Sequence, residues 1–298
     1  DEQLFIIRGE DGELRGFYNV CRHRAHQLLQ GSGNTGNIVC PYHAWSYSSA
    51  GELRYARNAE NVKGFDVSQV YLPQVQVELF LGFVFINLEL EATSLASRVR
   101  DLEKDIRERV PDLGVMTVKA KAEFGGLNIN AGWKVIVDNY VECYHCTPAH
   151  VDFASIIDMG TYRMDTFDGW SRQLGTDIRT DNSAYRYEGN SADRSAVFWY
   201  LWPNITFNVL PGSPNLSVMT ILPIDVGAAS FIGDQLGTGD FDPNDDRMDY
   251  LVNTLGPEDQ ALCESVQCGL SSRGYDQGQF VVDPEQSGIA EHAVHQFH

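Results

Sequence analysis

The pattern of apolar and polar positions changes character once along the chain. Up to about residue 90 the apolar stretches are short. Leu4–Arg8, Val75–Phe80 and Phe83–Asn87 are strand-length, and turn-forming runs at Gly9–Gly12, Gly31–Gly36 and Ser48–Gly51 separate such stretches. The pair Val75–Phe80 and Phe83–Asn87 reads as two strands joined at Leu81-Gly82. Beyond residue 90, Thr93–Val110 has helical spacing and charge pairing, and Pro111 stops it. Phe124–Asn130 reads as a strand and Trp133–His145 as an amphipathic segment, and residues 160–235 are again strand-rich. Asp245–Leu255 and Pro257–Gly269 read as helices, the second with proline in its first turn. The expectation is an α+β protein: an all-β domain over 1–90, then an α+β domain over 91–298 with helices packed on an antiparallel sheet.

Composition narrows the function classes. The longest apolar run, around Phe80–Asn87, falls far short of the ~18 residues of a membrane span, so no membrane partner is expected. A net charge of −19 argues against nucleic acid, which needs a basic surface. An acidic surface suits cationic substrates or basic protein partners, but solubility alone is the simpler explanation. The chain opens without Met inside a strand-like stretch, so a preceding segment is expected, and a cytoplasmic location is the working expectation. Six unevenly spread cysteines in such a protein point to metal binding or burial rather than disulfides.

Two mixed pairs carry the first chemistry, Cys21-Arg-His23 and Cys40-Pro-Tyr-His43, each in a turn between β segments. Two thiolates and two imidazoles suit either a structural zinc or a Rieske [2Fe-2S] cluster, in which both thiolates bind one iron and both imidazoles the other. A zinc finger groups its cysteines and its histidines separately. Here they alternate, which suits two irons side by side. His26 lies nearby but is surplus to a full ligand set, and Trp45 is expected to pack over the loop and limit water.

The second stretch is Asp138-Asn-Tyr-Val-Glu142-Cys-Tyr-His145-Cys-Thr-Pro-Ala-His150. Histidines five apart on a regular helix diverge by about 140°, too far to share one ion. Pro148 between them disturbs the helix and lets His150 turn toward His145. An open iron(II) site for O2 chemistry takes two histidines and one carboxylate, so the carboxylate must come from elsewhere. Glu142 precedes His145 by three residues, on the same helical face, and can accept a hydrogen bond from the second nitrogen of a metal-bound imidazole. Cys143 and Cys146 flank His145 in a spacing compatible with a redox pair, but buried inert thiols are the simpler reading, also for Cys263 and Cys268.

Together, Cys21–Leu29, Cys40–Trp45, Ala56–Asp66, Asp138–His150, Glu258–Leu270 and Gly288–His292 resemble the α subunits of the Rieske non-haem iron oxygenases. Within that family they look closest to the stachydrine and glycine betaine demethylases. The resemblance implies a Rieske domain and a catalytic domain of helix-grip type. It implies Fe(II) at His145, His150 and Asp259, with Glu258 as the adjacent alternative. It further implies a homo-oligomer, most simply a trimer, in which Glu142 bridges His43 of a neighbouring subunit to His145. Glu at this place, where ring-attacking members carry Asp, resembles the quaternary-amine branch. Cys268 stands where a basic residue is common, which puts partner docking in doubt but not the iron.

The implied reaction uses O2 to hydroxylate an N-methyl group of a betaine-type quaternary amine, and the product collapses with loss of formaldehyde. Electrons come from NAD(P)H through a separate reductase, since the chain has no Gly-rich dinucleotide fingerprint. Quaternary ammonium groups are recognised by aromatic faces. In Phe198–Asn208, Tyr200 and Trp202 share one side of a strand and are the candidate pocket residues. An aromatic-ring hydroxylase on the same scaffold is the alternative, and a Rieske electron carrier is a third reading, disfavoured by the His145/His150 pair.

Overall fold

The computed structural model describes residues 2–122, 128–187, 195–239, 241–242, 244–285 and 287–298. The chain divides into two compact units, Asp1–Glu103 and Lys104–His298.

The first unit is β-rich. β1 (Leu4–Arg8), β2 (Leu14–Tyr18), β6 (Gln74–Phe80) and β7 (Phe83–Asn87) form an antiparallel sheet in that order. β3 (Ile38–Val39), β4 (Ser46–Tyr47) and β5 (Leu53–Tyr55) form a second, smaller sheet. The β6–β7 hairpin turns at Leu81 and Gly82, both with positive φ (55° and 89°), as a two-residue turn matched to strand twist requires. Phe17, Ile38, Tyr47 and Leu72 are fully buried between the sheets and loops. Gly51 lies at φ 83° directly against the Phe17 ring, so a side chain there has neither the backbone conformation nor the room.

The division falls at 103/104 rather than near residue 90 because the segment after β7 folds back onto its own sheet. Glu78 on β6 accepts the backbone N–H groups of Leu95 (2.7 Å) and Ala96 (2.9 Å), and Ser94 caps the same short helix, α1 (Leu95–Arg98). A carboxylate over a helix N-terminus is favourable on both hydrogen-bond and dipole grounds. Asp101 at φ 67° then separates α1 from α2 (Leu102–Arg109), so the helical pattern of Thr93–Val110 becomes two helices.

The second unit is built on an eight-stranded sheet. Its main path runs β10 (Arg163–Phe167), β11 (Trp170–Gly175), β12 (Ala196–Leu201), β13 (Ile205–Val209), β14 (Asn215–Asp225), β15 (Ala228–Gly237) and β8 (Thr117–Ala122). All these pairings are antiparallel, and β9 (Asn128–Ile129) also pairs with β15. Part of the strand expected at Phe124–Asn130 lies outside the described residues; β9 is the part that is described.

On one face lie α3 (Trp133–Tyr140), α7 (Gly256–Leu270) and α8 (His292–Phe297), enclosing Ile136, Val137, Val141, Tyr200, Ile221 and Cys263. The opposite face is reached by α2, whose Asp105 accepts the Trp199 indole N–H at 2.7 Å and pairs with Arg172. The arrangement is the expected α+β fold.

The late helical region differs from expectation. α6 (Asp246–Tyr250), capped by Asp245 on Met248 N (2.9 Å), runs through a π-helical segment (Leu251–Leu255) straight into α7. Pro257 therefore follows a widened turn inside one continuous rod. The wider turn suits a residue with no backbone N–H to give, and such π turns gather at functional sites.

Candidate active site

In the first unit, the two Cys/His loops are geometric copies. Cys21 N donates to His26 O (2.8 Å) and Ala25 N to Cys21 O (3.0 Å). Cys40 N donates to Trp45 O (2.8 Å) and Ala44 N to Cys40 O (3.0 Å). Ala25 and Ala44 both adopt left-handed φ, 55° and 57°. Residues that alternate in sequence are thereby sorted by type in space. The buried Cys21 and Cys40 thiols feel each other electrostatically, and the His23 and His43 rings stand 4.7 Å apart, edge to face.

This arrangement fits a cluster with two thiolates on one iron and two imidazoles on the other. The buried His43 Nδ1 has no hydrogen-bond partner among the described residues, as suits a nitrogen awaiting a ligand. Burial raises the Cys40 thiol pKa, and burial with the His23 and Arg24 charges lowers that of His43. The His43 shift favours the neutral imidazole that metals bind. Trp45 stacks on His23 at 4.8 Å. His26 is exposed and turned to the Gln27 carbonyl. Sequence reading missed Tyr47, whose fully buried hydroxyl lies 3.3 Å from Cys21 Sγ and accepts Arg22 N (3.1 Å). It missed Asn19 too, which pins the first loop through Leu28 N, Leu29 N and Leu29 O.

In the second unit, α3 ends at Tyr140, earlier than the amphipathic pattern implies, and α4 (Cys146–Ala149) and α5 (Val151–Ile156) follow. His145 starts α4. His150 separates α4 from α5 at φ −121°, ψ 68°, which brings its ring to 5.0 Å from that of His145. Pro148 lies in the first turn of α4, where a missing N–H costs nothing, so the bend belongs to His150 itself.

Both imidazoles turn Nε2 toward one oxygen. Asp259 Oδ1 on α7 lies 2.9 Å from His150 Nε2 and 3.6 Å from His145 Nε2. The three candidate ligand atoms lie within 4.8 Å of one another. Each ring is backed by a second carboxylate on Nδ1: Glu142 behind His145, and Glu258 behind His150 at 2.7 Å. Glu142 also accepts the backbone N–H groups of Tyr144 and His145, which ties down the loop after α3. Burial disfavours charge on His145, but Asp259 and Glu142 outweigh it and raise its pKa to about 9. Burial likewise raises Asp259, and the two histidines outweigh it, holding that carboxyl below its usual range. Two neutral-capable imidazoles and one carboxylate, each imidazole oriented from behind, are a donor set that suits a divalent iron.

Cys143 and Cys146 are joined as a disulfide with Cα atoms 4.9 Å apart, bracketing His145, which corrects the expectation of free thiols. Cys263 is a buried thiol, whereas Cys268 is exposed.

A cavity of about 430 Å³ adjoins the triad. Its floor is one continuous cross-strand row: Gln173, Phe198, Asn208, Ser217, Gln235 and Ala120, registered on β11, β12, β13, β14, β15 and β8. Phe153, one turn after His150, packs on Phe198 at 5.7 Å. Tyr140 donates to Asn208 Oδ1 (2.6 Å), Tyr162 to Gln173 Oε1 (3.2 Å), and Gln173 in turn to Tyr140 O (2.6 Å).

The pocket residues expected from the sequence are not the ones found. Tyr200 is 5% exposed, packed in the core near Phe297, with its hydroxyl on the Pro203 carbonyl; Trp202 is 50% exposed. Neither lines the cavity. α3 and α8 cover the Tyr200 end of β12 and leave Phe198 to the cavity. A polar residue inside an apolar strand, such as Asn208, was the available signal for the floor.

The two units, one presenting sorted thiol and imidazole pairs and the other an imidazole–carboxylate triad beside a cavity, define a two-centre iron oxygenase. Residues 1–66 match the Rieske [2Fe-2S] domain, and residues 104–298 match the ring hydroxylating alpha subunit catalytic domain. The chain belongs to the ring-hydroxylating alpha-subunit family of Rieske oxygenases.

It is 38% identical to the carnitine monooxygenase oxygenase subunit of Acinetobacter pittii (strain PHEA-2), over 99% of this chain and 80% of that one. The solved structure of a quaternary ammonium Rieske monooxygenase is similar too. Its TM-score is 0.86 and its identity 37%, covering 99% of this chain and 80% of that one. Naphthalene 1,2-dioxygenase from Rhodococcus sp. shares the fold, with a TM-score of 0.76 at 18% identity over 100% of this chain and 82% of that one. The chain is accordingly a non-haem iron monooxygenase subunit that uses a [2Fe-2S] cluster, a mononuclear iron, O2 and reductase-supplied electrons. No helix among the described residues is long and apolar enough to cross a membrane.

Proposed function

We propose that the chain hydroxylates a carbon bonded to the nitrogen of a betaine-type quaternary ammonium compound, with an N-methyl group as the target. The observation that carries this is the cavity lined by His145, His150 and Asp259 together with the aromatic rings of Phe153, Phe198, Tyr140 and Tyr162. A quaternary ammonium cannot donate a hydrogen bond and is held by such faces. The tyrosine hydroxyls are already spent inside the protein, so they add ring surface rather than polarity. The 38% identical carnitine monooxygenase subunit supports the same class of substrate.

In this reading His145, His150 and Asp259 hold the iron, while Cys21 with Cys40 and His23 with His43 hold the two irons of the cluster. When bound, the iron supplies O2 activation for insertion at a C–H bond, and the cluster supplies electrons one at a time. Glu142 and Glu258 fix the two imidazoles by accepting their Nδ1 protons, leaving Nε2 free for the metal. Glu142 links His145 to His43 of a neighbouring copy in a homotrimer, so electrons cross between subunits. A separate NAD(P)H-dependent reductase feeds the cluster.

The reaction balances as follows. One molecule of O2, two electrons and two protons convert the N-methyl group to an N-hydroxymethyl group and release one molecule of water. The hydroxymethyl group then loses its O–H proton, the C–N bond breaks with its electron pair passing to nitrogen, and formaldehyde and the tertiary amine separate.

The test offers glycine betaine, stachydrine, L-carnitine, choline and naphthalene to the loaded enzyme with reductase and reduced cofactor. Formaldehyde with the demethylated amine is expected from at least one quaternary compound. Trimethylamine without formaldehyde would put the oxygen on the other N–C bond, and a cis-diol from naphthalene alone would overturn the substrate class.

A further inference from the structure

We propose that Gln235 and Ser217 form an anchor for the carboxylate of a zwitterionic substrate, and so set which quaternary amines are accepted. The proposal rests on the quaternary-amine reading and adds the group at the far end of the ligand.

Hydrogen bonding along the cavity floor is unequal. Gln173 and Asn208 are satisfied within the protein, through Tyr162 and the Tyr140 carbonyl for the first and through Tyr140 and Thr206 for the second. Gln235 is not. Its side chain is only 3% exposed and its Nε2 has no partner among the described residues. A buried amide N–H without an acceptor is costly, and such orphans in a native cavity point to a missing ligand or water. Ser217 is the direct cross-strand neighbour of Gln235. It gives its backbone carbonyl to Asn208, and its buried side chain lines the same cavity. A Ser hydroxyl and an amide N–H side by side form a pair of donors that suits the two oxygens of a carboxylate.

The position also fits. Phe198, on which Phe153 packs three residues after His150, is two strands from Ser217, roughly 10 Å at ordinary strand spacing. That is the scale of a trimethylammonium group, a short linker and a carboxylate laid end to end. With the ammonium on Phe153 and Phe198, its N-bonded carbons lie toward the triad and the carboxylate reaches Ser217 and Gln235. Arg247, the buried cation at the cavity's edge, is engaged by Asp245 (3.1 Å) and the Ser213 carbonyl (3.1 Å), so it clamps the β13–β14 connection.

The test measures binding by titration calorimetry to the loaded enzyme, using γ-butyrobetaine and its carboxylate-free counterpart butyltrimethylammonium. The wild type is expected to prefer γ-butyrobetaine. Gln235→Leu should weaken γ-butyrobetaine by about 10- to 100-fold, the value of hydrogen bonds to a charged acceptor, and leave butyltrimethylammonium within about twofold. Ser217→Ala, the gentler change, should act in the same direction by less. Gln235→Glu keeps the shape and should invert the preference, since two carboxylates then face each other. Equal weakening of both ligands in these variants would assign a structural role and overturn the anchor. A wild type that binds both ligands equally would also overturn it while leaving the quaternary-amine reading intact. A wild type that binds neither would overturn that reading and the anchor with it.

Discussion

Glu258 Oε2 stands 2.7 Å from His150 Nδ1, on the opposite edge of the ring from Asp259. Adjacent carboxylates on one helix thus do different work. Asp259 reaches both imidazoles through Oδ1, whereas Glu258 touches His150 alone and from behind. Chemistry by itself could not rank these two acids in the sequence; a helix that presents neighbours about 100° apart separates them.

Glu258 is therefore expected to orient a ligand rather than to be one. Glu258→Leu should weaken iron retention by about 10- to 100-fold, the usual cost of losing such a partner, and Glu258→Gln by less because its amide oxygen still accepts. Iron content after dialysis against graded chelator measures this, with the cluster's visible absorbance as internal control. Unchanged retention in Glu258→Leu would remove the role.

His145 tests the separation of the two centres. His145→Ala deletes one of the three atoms that converge within 4.8 Å and should empty the mononuclear site. The thiol and imidazole pairs belong to the other compact unit, so the cluster's spectrum should persist. Loss of both signals together would mean that the assignment of the triad is wrong or that the fold has failed.

Glu142 tests the electron path. Its carboxylate holds both His145 Nδ1 and the backbone that follows α3. Glu142→Gln keeps the size and one accepting oxygen, so both metal sites should fill. Turnover should nevertheless stop, because a neutral amide no longer stabilises charge on the two histidines it is proposed to bridge. Full activity in a variant with both centres loaded would sink the relay.

How much of this was legible beforehand divides along a physical line. Cys21, His23, Cys40 and His43 could be read from spacing because each pair sits in its own short loop, and local geometry does the rest. His145 and His150 stood out as a pair, but their place beside Asp259 came from the family resemblance, and the bend between them lies at His150 rather than Pro148. What could not be read depends on register between distant segments. The cavity floor needs six strands, drawn from residues 117 to 237, to align one residue each. Strand parity put Tyr200 and Trp202 on one side, but parity does not say where along a face the helices stop covering it. Tyr47 escaped for a related reason: it lies 26 residues from Cys21 in sequence, and only the folded loops bring its hydroxyl to the sulfur.

That Tyr47 contact has a measurable consequence. A hydroxyl donated to Cys21 Sγ withdraws electron density from the sulfur and favours the reduced cluster. Tyr47→Phe removes the donor while keeping the buried ring, so the cluster's reduction potential should fall and its assembly should survive. Voltammetry on the isolated protein reads this directly. An unchanged potential would show that the hydroxyl serves Arg22 N and not the sulfur.

The aromatic wall decides between the two ends of β12. Phe198 lines the cavity and packs on Phe153 beside the triad, whereas Tyr200 is buried under α3 and α8. Phe198→Leu keeps the volume roughly and the hydrophobicity, but removes the negative ring face that attracts a cation. Desolvated cation–π contacts are worth about 2 kcal/mol or more, so the KM for a quaternary amine should rise by about 30-fold. Tyr200→Phe deletes only a hydroxyl that donates to Pro203 O; it should lower thermal stability slightly and leave KM unchanged. Steady-state kinetics and melting curves on the two variants separate the effects. A KM that responds to Tyr200→Phe and not to Phe198→Leu would return the pocket to the far end of the strand.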